Sequence, residues 1–228
     1  SRSEVFPMIK IEKKREPRAL NEYRKNPDAS YNGMHGAPTW NNSDTDVYHT
    51  VLESLMSEQG HLCAYCMRKI PEKKGFPNAT IEHIEPQSKA PEKTLDYKNM
   101  LAVCSGNRNA NSRDWKTCDA RRGNEALSLN PLKSDTISDI NYRSTGVIYS
   151  DNPDVDRELN EVLNLNCQVR DLVYGRKAAL GRMHKMINEK GWSGNVEMYK
   201  RLLMQYQEKQ ENKEQYVGIM INWLKKHI

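Results

Sequence analysis

The sequence lacks the long apolar runs that membrane and secreted proteins carry. None of its apolar runs approaches the roughly 20 residues that a membrane-spanning helix needs, and its first ten residues lack the apolar core of a signal peptide. Apolar residues make up only 37% of the chain, and the mean hydropathy is −0.88, so disorder is one interpretation. Amphipathic helical stretches favour instead a folded protein with a strongly charged surface, and the missing membrane-span and signal-peptide patterns predict a cytoplasmic location.

Excess charge of one sign is small and unevenly placed. The net charge is +5. The length of 228 residues is enough for one domain or two small ones. The segment 61–125 holds 12 basic and 8 acidic residues, so most of the excess lies there. A basic patch suits a polyanion such as nucleic acid, although charge alone favours an ordinary solvated surface.

Composition divides the chain into three predicted regions. Residues 1–60 read as an N-terminal leader and a helix, residues 61–130 as a mixed core of strands and loops, and residues 131–228 as a mainly helical region. A strand pair with Gly146 in its turn is predicted near residues 140–150 of the last region. One long helix or two should follow to about residue 190, and two further helices are expected near 196–210 and 213–228.

The helix of the first region has a readable start. Ser43 or Asp44 can act as its N-cap, Asp46 then falls in its first turn, and the apolar spacing continues to about Glu58.

Cysteine is scarce but clustered. Four of the five cysteines lie in the central region. Disulfides are rare in cytoplasmic proteins, so these cysteines are not expected to form them. Cys63 and Cys66 form a C-x-x-C turn, and Cys104 and Cys118 complete a set of four thiolates, which structural zinc prefers. The 13 residues between the last two are an unusual spacing. The alternative is four reduced thiols without a metal. Cys167 lies amid helical spacing and is predicted to be a core residue.

A Glu-His pair ends a short apolar run at residues 79–84. Phosphodiester hydrolysis needs an activated water, a cation on the phosphate and stabilisation of the leaving oxygen. The imidazole of His83 can deprotonate the water, and Glu82 and Asp119 can hold a hard divalent cation. Asn99 can bind the loop backbone through its amide and so hold the histidine; the alternative is a simple turn residue.

The strings CAYC, IEHIEPQS, LDYKNMLAVC and CDARRGN, between residues 63 and 124, together resemble the HNH, or ββα-metal, endonucleases. The resemblance implies an α+β fold class, with a ββα-metal core and zinc-binding cysteine knuckles embedded in a mainly helical protein. It implies that a first strand delivers His83 as base and Glu82 as a metal ligand, and we expect this base to be exposed. The loop would deliver Asn99, and the closing helix would carry Asp119.

Two departures from the family pattern affect the site. Many members have Asp where Glu82 stands, and His or Asn where Asp119 stands, which could shift the catalytic metal from Mg²⁺ toward Mn²⁺. The insertion SGNRNANSRDWKT mixes basic and aromatic residues, which suits phosphate contact and base stacking; a solvated loop is the alternative. The candidate nucleic-acid contacts are Arg108, Arg113, Trp115, Lys116, Arg121 and Arg122.

Segments beyond the core carry a more particular resemblance. CDARRGN followed by NPL, the Tyr-x(3)-Gly-Val-Ile segment and LNEVLNLNCQVRDLVYGRK are similar to PtuB-type HNH proteins of Septu and some retron antiphage systems. This resemblance covers residues 63 to about 177. It implies a PtuA-like SMC/ABC-type ATPase as partner, and in retron systems also a reverse transcriptase and its RNA–DNA product.

Apolar stripes on the C-terminal helices allow two interpretations. They either pack inside their own domain or form the surface that binds the ATPase, since Trp, Tyr and Met are enriched in interface cores. The low hydropathy of the chain favours the docking interpretation. The stripe residues are Tyr199, Leu202, Leu203, Tyr206, Tyr216, Ile219, Met220, Trp223 and Leu224.

Two functions of different classes fit these features. One is a metal-dependent nuclease acting on DNA, RNA or tRNA, and the other is a zinc-stapled binding or adaptor module without chemistry. The second gives no reason for Glu82, His83, Asn99 and Asp119 to occur in HNH order. We therefore expect the nuclease.

Overall fold

The computed structural model describes residues 6–39, 42–73, 75–208 and 211–228. Its helices are α1 (Arg18–Tyr23), α2 (Val47–Glu58), α3 (Cys118–Arg122), α4 (Ser134–Ile137), α5 (Pro153–Arg157), α6 (Leu172–Glu189), α7 (Val196–Gln207) and α8 (Val217–Lys226). Its strands are β1 (Pro38–Thr39), β2 (Asn42–Asp46), β3 (Glu72–Lys73), β4 (Phe76–Pro77), β5 (Ala79–His83), β6 (Met100–Cys104), β7 (Ile140–Tyr142) and β8 (Ile148–Ser150). Within the described ranges, no helix is both long and apolar enough to cross a bilayer.

Helix α2 begins later than the sequence suggested. Residues 42–46 are extended in β2, so the cap is Asp46 and neither Ser43 nor Asp44. The Asp46 carboxylate accepts a hydrogen bond from the backbone N–H of His49 at 2.8 Å, which satisfies one of the free donors of the first turn. The helix then ends as expected at Glu58, and it packs its apolar face against β5 and β6.

The antiparallel hairpin of β5 and β6 is the central feature of the middle region. Its register pairs Ala79 with Cys104 at one end and His83 with Met100 at the other. Every residue of β6 is buried, and α3 packs against this strand after the long insertion. The hairpin therefore places the Glu-His pair at one end and a cysteine at the opposite end.

A glycine closes the base of the insertion that separates β6 from α3. Gly106 has a φ of +56°, and a Cβ on it would lie 2.1 Å from the backbone oxygen of Thr117. The Thr117 N–H in turn donates to the Gly106 oxygen at 2.9 Å. Only glycine permits this close approach, which brings Cys104 and Cys118 together in spite of their sequence separation.

The C-terminal region begins with the predicted hairpin, now seen as β7 and β8. Of the one or two helices expected before residue 190, the structure has two, because α5 passes into a π-helical turn at Glu158–Val162 and α6 starts only at Leu172. The buried carboxylate of Glu158 accepts hydrogen bonds from the N–H groups of Ser128 and Leu129, at 2.7 and 2.9 Å. This turn therefore attaches the C-terminal region to the chain that follows α3.

The apolar stripes of α7 and α8 are part of the protein core. The two helices pack on each other and α8 packs on α6, so seven of the nine stripe residues are buried and the remaining two are partly buried. The docking interpretation of these stripes is therefore wrong, because the chain itself covers them. The seven buried residues are Tyr199, Leu202, Leu203, Tyr216, Ile219, Met220 and Leu224.

One cluster of buried side chains draws on all three sequence regions. Met8 and Leu52 come from residues 1–60, Leu101 from the middle region, and Ile140 and Met220 from the C-terminal region. The hairpin and its flanking helix therefore sit in a scaffold built from both ends of the chain.

Candidate active site and cysteine cluster

Four thiols meet at the end of the hairpin opposite the Glu-His pair. The sulfur atoms of Cys63, Cys66, Cys104 and Cys118 all lie within 4.8 Å of one another, and all four residues are buried. The Sγ atoms of Cys63 and Cys118 are 3.8 Å apart, as are those of Cys66 and Cys104. Tetrahedral zinc with Zn–S bonds of about 2.3 Å requires sulfurs about 3.8 Å apart. The four thiols therefore fit one zinc ion.

The thiols also interact electrostatically. Hydrogen bonding from neighbouring thiols lowers the pKa of Cys104, while the same hydrogen bonds raise the pKa of Cys66 and of Cys118. Zinc binds cysteines as thiolates, so zinc binding would release the protons that these thiols still carry. Cys167 is buried as predicted but lies outside this set; its Sγ lies 3.6 Å from the backbone oxygen of Asp114.

His83 is the last residue of β5, and it is buried rather than exposed, with 4% of its surface accessible. Its Nε2 lies 2.9 Å from the backbone oxygen of Thr94, which can only accept, so Nε2 carries the hydrogen. Nδ1 therefore holds the lone pair and accepts from the amide of Gln87 at 3.2 Å. Burial lowers the pKa of His83 below its usual 6.5. The imidazole is therefore neutral at pH 7, with a proton acceptor at Nδ1.

Asn99, immediately before β6, binds the loop that surrounds the histidine. Its Oδ1 accepts from the N–H of Glu85 at 2.8 Å, and its Nδ2 donates to the backbone oxygens of Glu85 at 3.1 Å and Lys93 at 3.3 Å. One side chain thus connects the segment after His83 to the segment that ends at Thr94.

Glu82 is buried beside the histidine, and its Oε1 accepts from the hydroxyl of Tyr65 at 3.2 Å and from the Nη1 of Arg122. Burial raises the pKa of Glu82 to about 8, against the opposing effect of Arg122 and with a further increase from the charge and hydrogen bond of Asp119. The two carboxyl groups are therefore direct neighbours. Paired carboxylate oxygens are the ligands that hard divalent cations take, so the chemistry of this pair suits such a cation.

Asp119 is the second residue of α3 and faces an arginine from the insertion. Its Oδ2 accepts from the Nη2 of Arg108, which also lies 3.3 Å from the hydroxyl of Thr80. Arg108 is exposed. The insertion therefore places one solvent-accessible guanidinium directly at the carboxyl pair.

The other candidate nucleic-acid contacts of the insertion differ in exposure. Arg113 and Trp115 are exposed, the latter with 47% of its surface accessible, and Lys116 is half-buried. The Arg113 guanidinium donates to the backbone oxygen of Arg121 at 3.4 Å. These residues lie on the surface beside α3, where they are available to a ligand.

The two arginines of α3 are less exposed than Arg113 and Trp115. Arg121 pairs with the carboxylate of Asp114 at 2.9 Å and donates to the backbone oxygen of Glu161. Arg122 is only 3% exposed, and its guanidinium is taken up by partners within the chain. The expectation that Arg122 contacts nucleic acid is therefore a mistake, because Glu82 binds it in the interior.

Three residues of the site escaped the sequence interpretation. Tyr65 stands inside the CAYC string and Gln87 inside EPQS, so both lay within recognised motifs, but neither residue type signals a role at a carboxylate or an imidazole. Thr94 acts through its backbone oxygen, and no side-chain pattern could have indicated it.

Comparison with known proteins bears directly on this geometry. Residues 63–106 match the family model of HNH endonucleases. The matched range includes the C-x-x-C turn, Glu82, His83 and Asn99, whereas Asp119 lies beyond it. A search of curated proteins finds no match to the chain. The match supports an HNH nuclease domain, with the nucleic acid substrate and divalent metal that this family implies.

Proposed function

We propose that this chain is a metal-dependent HNH endonuclease that hydrolyses phosphodiester bonds of nucleic acid, with β5, β6 and α3 as its ββα-metal unit. The observation that carries the proposal is one end of a hairpin with a neutral imidazole beside a pair of neighbouring carboxyl groups. His83 ends β5, and Glu82 precedes it and reaches Asp119 of α3. A binding module without chemistry requires none of these.

His83 is the general base in this proposal. Its Nδ1 takes a proton from the attacking water, and the hydrogen bond from Nε2 to the Thr94 oxygen fixes the ring and the tautomer. Because the same carbonyl can accept more strongly from an imidazolium, it also stabilises the protonated ring. Asn99 holds the loop that carries the Thr94 oxygen through its hydrogen bonds to the loop backbone. Gln87 is exposed, so water can replace its amide at Nδ1.

Glu82 and Asp119 would hold the catalytic cation. Bound there, Mg²⁺ or Mn²⁺ would neutralise phosphate charge and stabilise the leaving oxygen. All-oxygen ligands suit these hard cations, whereas the four cysteines suit zinc, so the two metal sites are chemically separate. Arg108 contacts Asp119 from the solvent side, and we assign it a contact to the substrate phosphate.

We further propose a cytoplasmic effector of an antiphage system that acts with a PtuA-like ATPase, and in a retron setting also with a reverse transcriptase and its RNA–DNA product. Its support is the sequence resemblance over residues 63 to 177 alone. Because α7 and α8 bury their stripes, the partner surface must use other residues. Co-purification of the ATPase with the full-length chain is the test, because removing α7 and α8 would also remove core residues.

Cleavage assays separate the nuclease from the adaptor. Zinc-loaded protein is incubated with plasmid DNA and, separately, with RNA, in the presence of Mg²⁺ or Mn²⁺. The wild-type chain and the control variant Cys167→Ser should cut, while Glu82→Gln should not. Sequencing of the product ends then identifies the substrate class. Nucleic acid binding without cleavage by the zinc-loaded wild type under all of these conditions would favour the adaptor.

A further inference from the structure

Two buried side chains hold one oxygen atom of Glu82. The hydroxyl of Tyr65 donates to Oε1 at 3.2 Å and itself accepts from the Nη1 of Arg122 at 3.1 Å, while Nη1 also contacts Oε1. All three residues are less than 7% exposed. The carboxylate is therefore fixed by a closed triangle of hydrogen bonds in the interior.

The guanidinium of Arg122 extends this arrangement to the backbone. Its Nη1 donates to the oxygen of His83 at 2.9 Å, its Nη2 to the oxygen of Ile84 at 2.8 Å, and its Nε to the oxygen of Glu125 at 2.7 Å. A lysine has one ammonium group in place of this planar fork and could not reproduce the set. Arg122 thus fixes both the carboxylate of Glu82 and the chain that follows it.

Tyr65 and Arg122, which contact Glu82, both belong to segments that carry cysteines of the cluster. Tyr65 stands between Cys63 and Cys66, and Arg122 is the last residue of the short helix that starts with Cys118. A shift of the knuckle or of α3 would therefore move the hydrogen-bond donors of Glu82.

We propose that Tyr65 and Arg122 are positioning residues, which transmit the geometry of the zinc-bound cysteine cluster to Glu82 and so set the affinity of the catalytic cation. This inference rests on the proposed function. Residues that orient a metal ligand from behind typically change metal affinity about 10–100-fold when mutated. A merely structural role would change the folding stability and leave the cation affinity unaltered.

Tyr65→Phe is the test variant, because it keeps the packed ring and removes only the hydroxyl. Tyr142→Phe is its matched control, because the Tyr142 hydroxyl is also buried but has no hydrogen-bond partner in the described part of the chain. Zinc content and melting temperature are measured first for the full-length proteins. Mn²⁺ affinity is then measured by calorimetry without nucleic acid, followed by the cleavage rate as a function of Mn²⁺ concentration.

Tyr65→Phe should bind Mn²⁺ about tenfold more weakly than the wild type, with unchanged zinc content, and saturating Mn²⁺ should restore most of its cleavage rate. Arg122→Lys should weaken binding further, and Tyr142→Phe should not weaken it. Equal Mn²⁺ affinity of wild type and Tyr65→Phe overturns the positioning role even if the wild type cuts nucleic acid. A wild type that binds Mn²⁺ and never cuts overturns the proposed function instead, and one that binds no Mn²⁺ overturns both.

Discussion

The Nε2 atom of His83 donates a hydrogen bond to the backbone oxygen of Thr94, 2.9 Å away. This bond assigns the ring proton, leaves Nδ1 as the acceptor and holds the imidazole in a buried position. A single backbone contact therefore determines which atom of the ring can act as base. The bond needs no particular side chain at residue 94, only the loop conformation that Asn99 maintains.

The pH dependence of cleavage should report this environment. Burial lowers the pKa of His83 below 6.5. The imidazole therefore stays neutral as the pH is lowered from 8 to 7, and its Nδ1 atom is protonated only in more acidic solution. The acidic limb of the rate profile at saturating Mn²⁺ should have its midpoint below the ordinary histidine value of about 6.5. A midpoint clearly above that value would contradict the assignment.

Asn99→Ala should impair cleavage more than folding. The change removes three hydrogen bonds to the backbone around Glu85 and Lys93, at a cost of about 1–3 kcal/mol in unfolding free energy. The loop would then no longer present the Thr94 oxygen to His83. Cleavage rates and denaturant unfolding measure the two effects. Asn141→Ala, which removes one exposed bond on the β7–β8 hairpin, is the control and should cut normally.

Cysteine substitutions should separate the zinc ligands from the remaining cysteine. The wild-type chain should contain about one zinc ion, and Cys66→Ser should lose it and become less stable, because metal binding free energy contributes to folding. Cys167→Ser should retain the zinc, since its sulfur lies outside the cluster. Elemental analysis of protein purified without chelator checks this. Full zinc content in Cys66→Ser would remove that residue from the ligand set.

Glu82 should make the stability of the protein depend on pH when no divalent cation is added. Its pKa is raised from 4.5 to about 8, so between these values the folded protein keeps a proton that the unfolded chain releases. The unfolding free energy should therefore fall as the pH rises through this window. Urea unfolding at several pH values measures this slope, and Glu82→Gln should reduce it. The same slope in both proteins would show that another group is responsible.

The sequence was informative where chemistry and spacing are local. Short sequence strings predict the C-x-x-C turn, the hairpin strands and the position of Asn99. The set of four zinc ligands could be proposed because four of the five cysteines lie in the central region. Zinc-compatible geometry at Cys104 and Cys118 depends on Gly106, whose close contact with Thr117 no spacing rule predicts.

The errors share a physical cause, which is burial by distant parts of the chain. Arg122 reads as a surface cation, yet Glu82, 40 residues away, offers it a buried partner. His83 reads as an exposed base, yet its loop and the ring of Tyr31 cover it. The stripes of α7 and α8 favour a docking surface when read from the sequence, yet these two helices and α6 cover them. A sequence pattern shows that a face is apolar, but only the packed chain shows what covers it.

The comparison of wild type with His83→Ala tests the central claim most directly. Both proteins are purified with zinc, shown to be folded by thermal melting, and incubated with DNA and RNA in Mn²⁺. The buried imidazole makes two hydrogen bonds, so the variant should lose about 1–3 kcal/mol of stability and remain folded. Cleavage by the wild type and a loss of at least about 100-fold in the variant is the predicted result. Cleavage by folded His83→Ala at the wild-type rate would contradict the account.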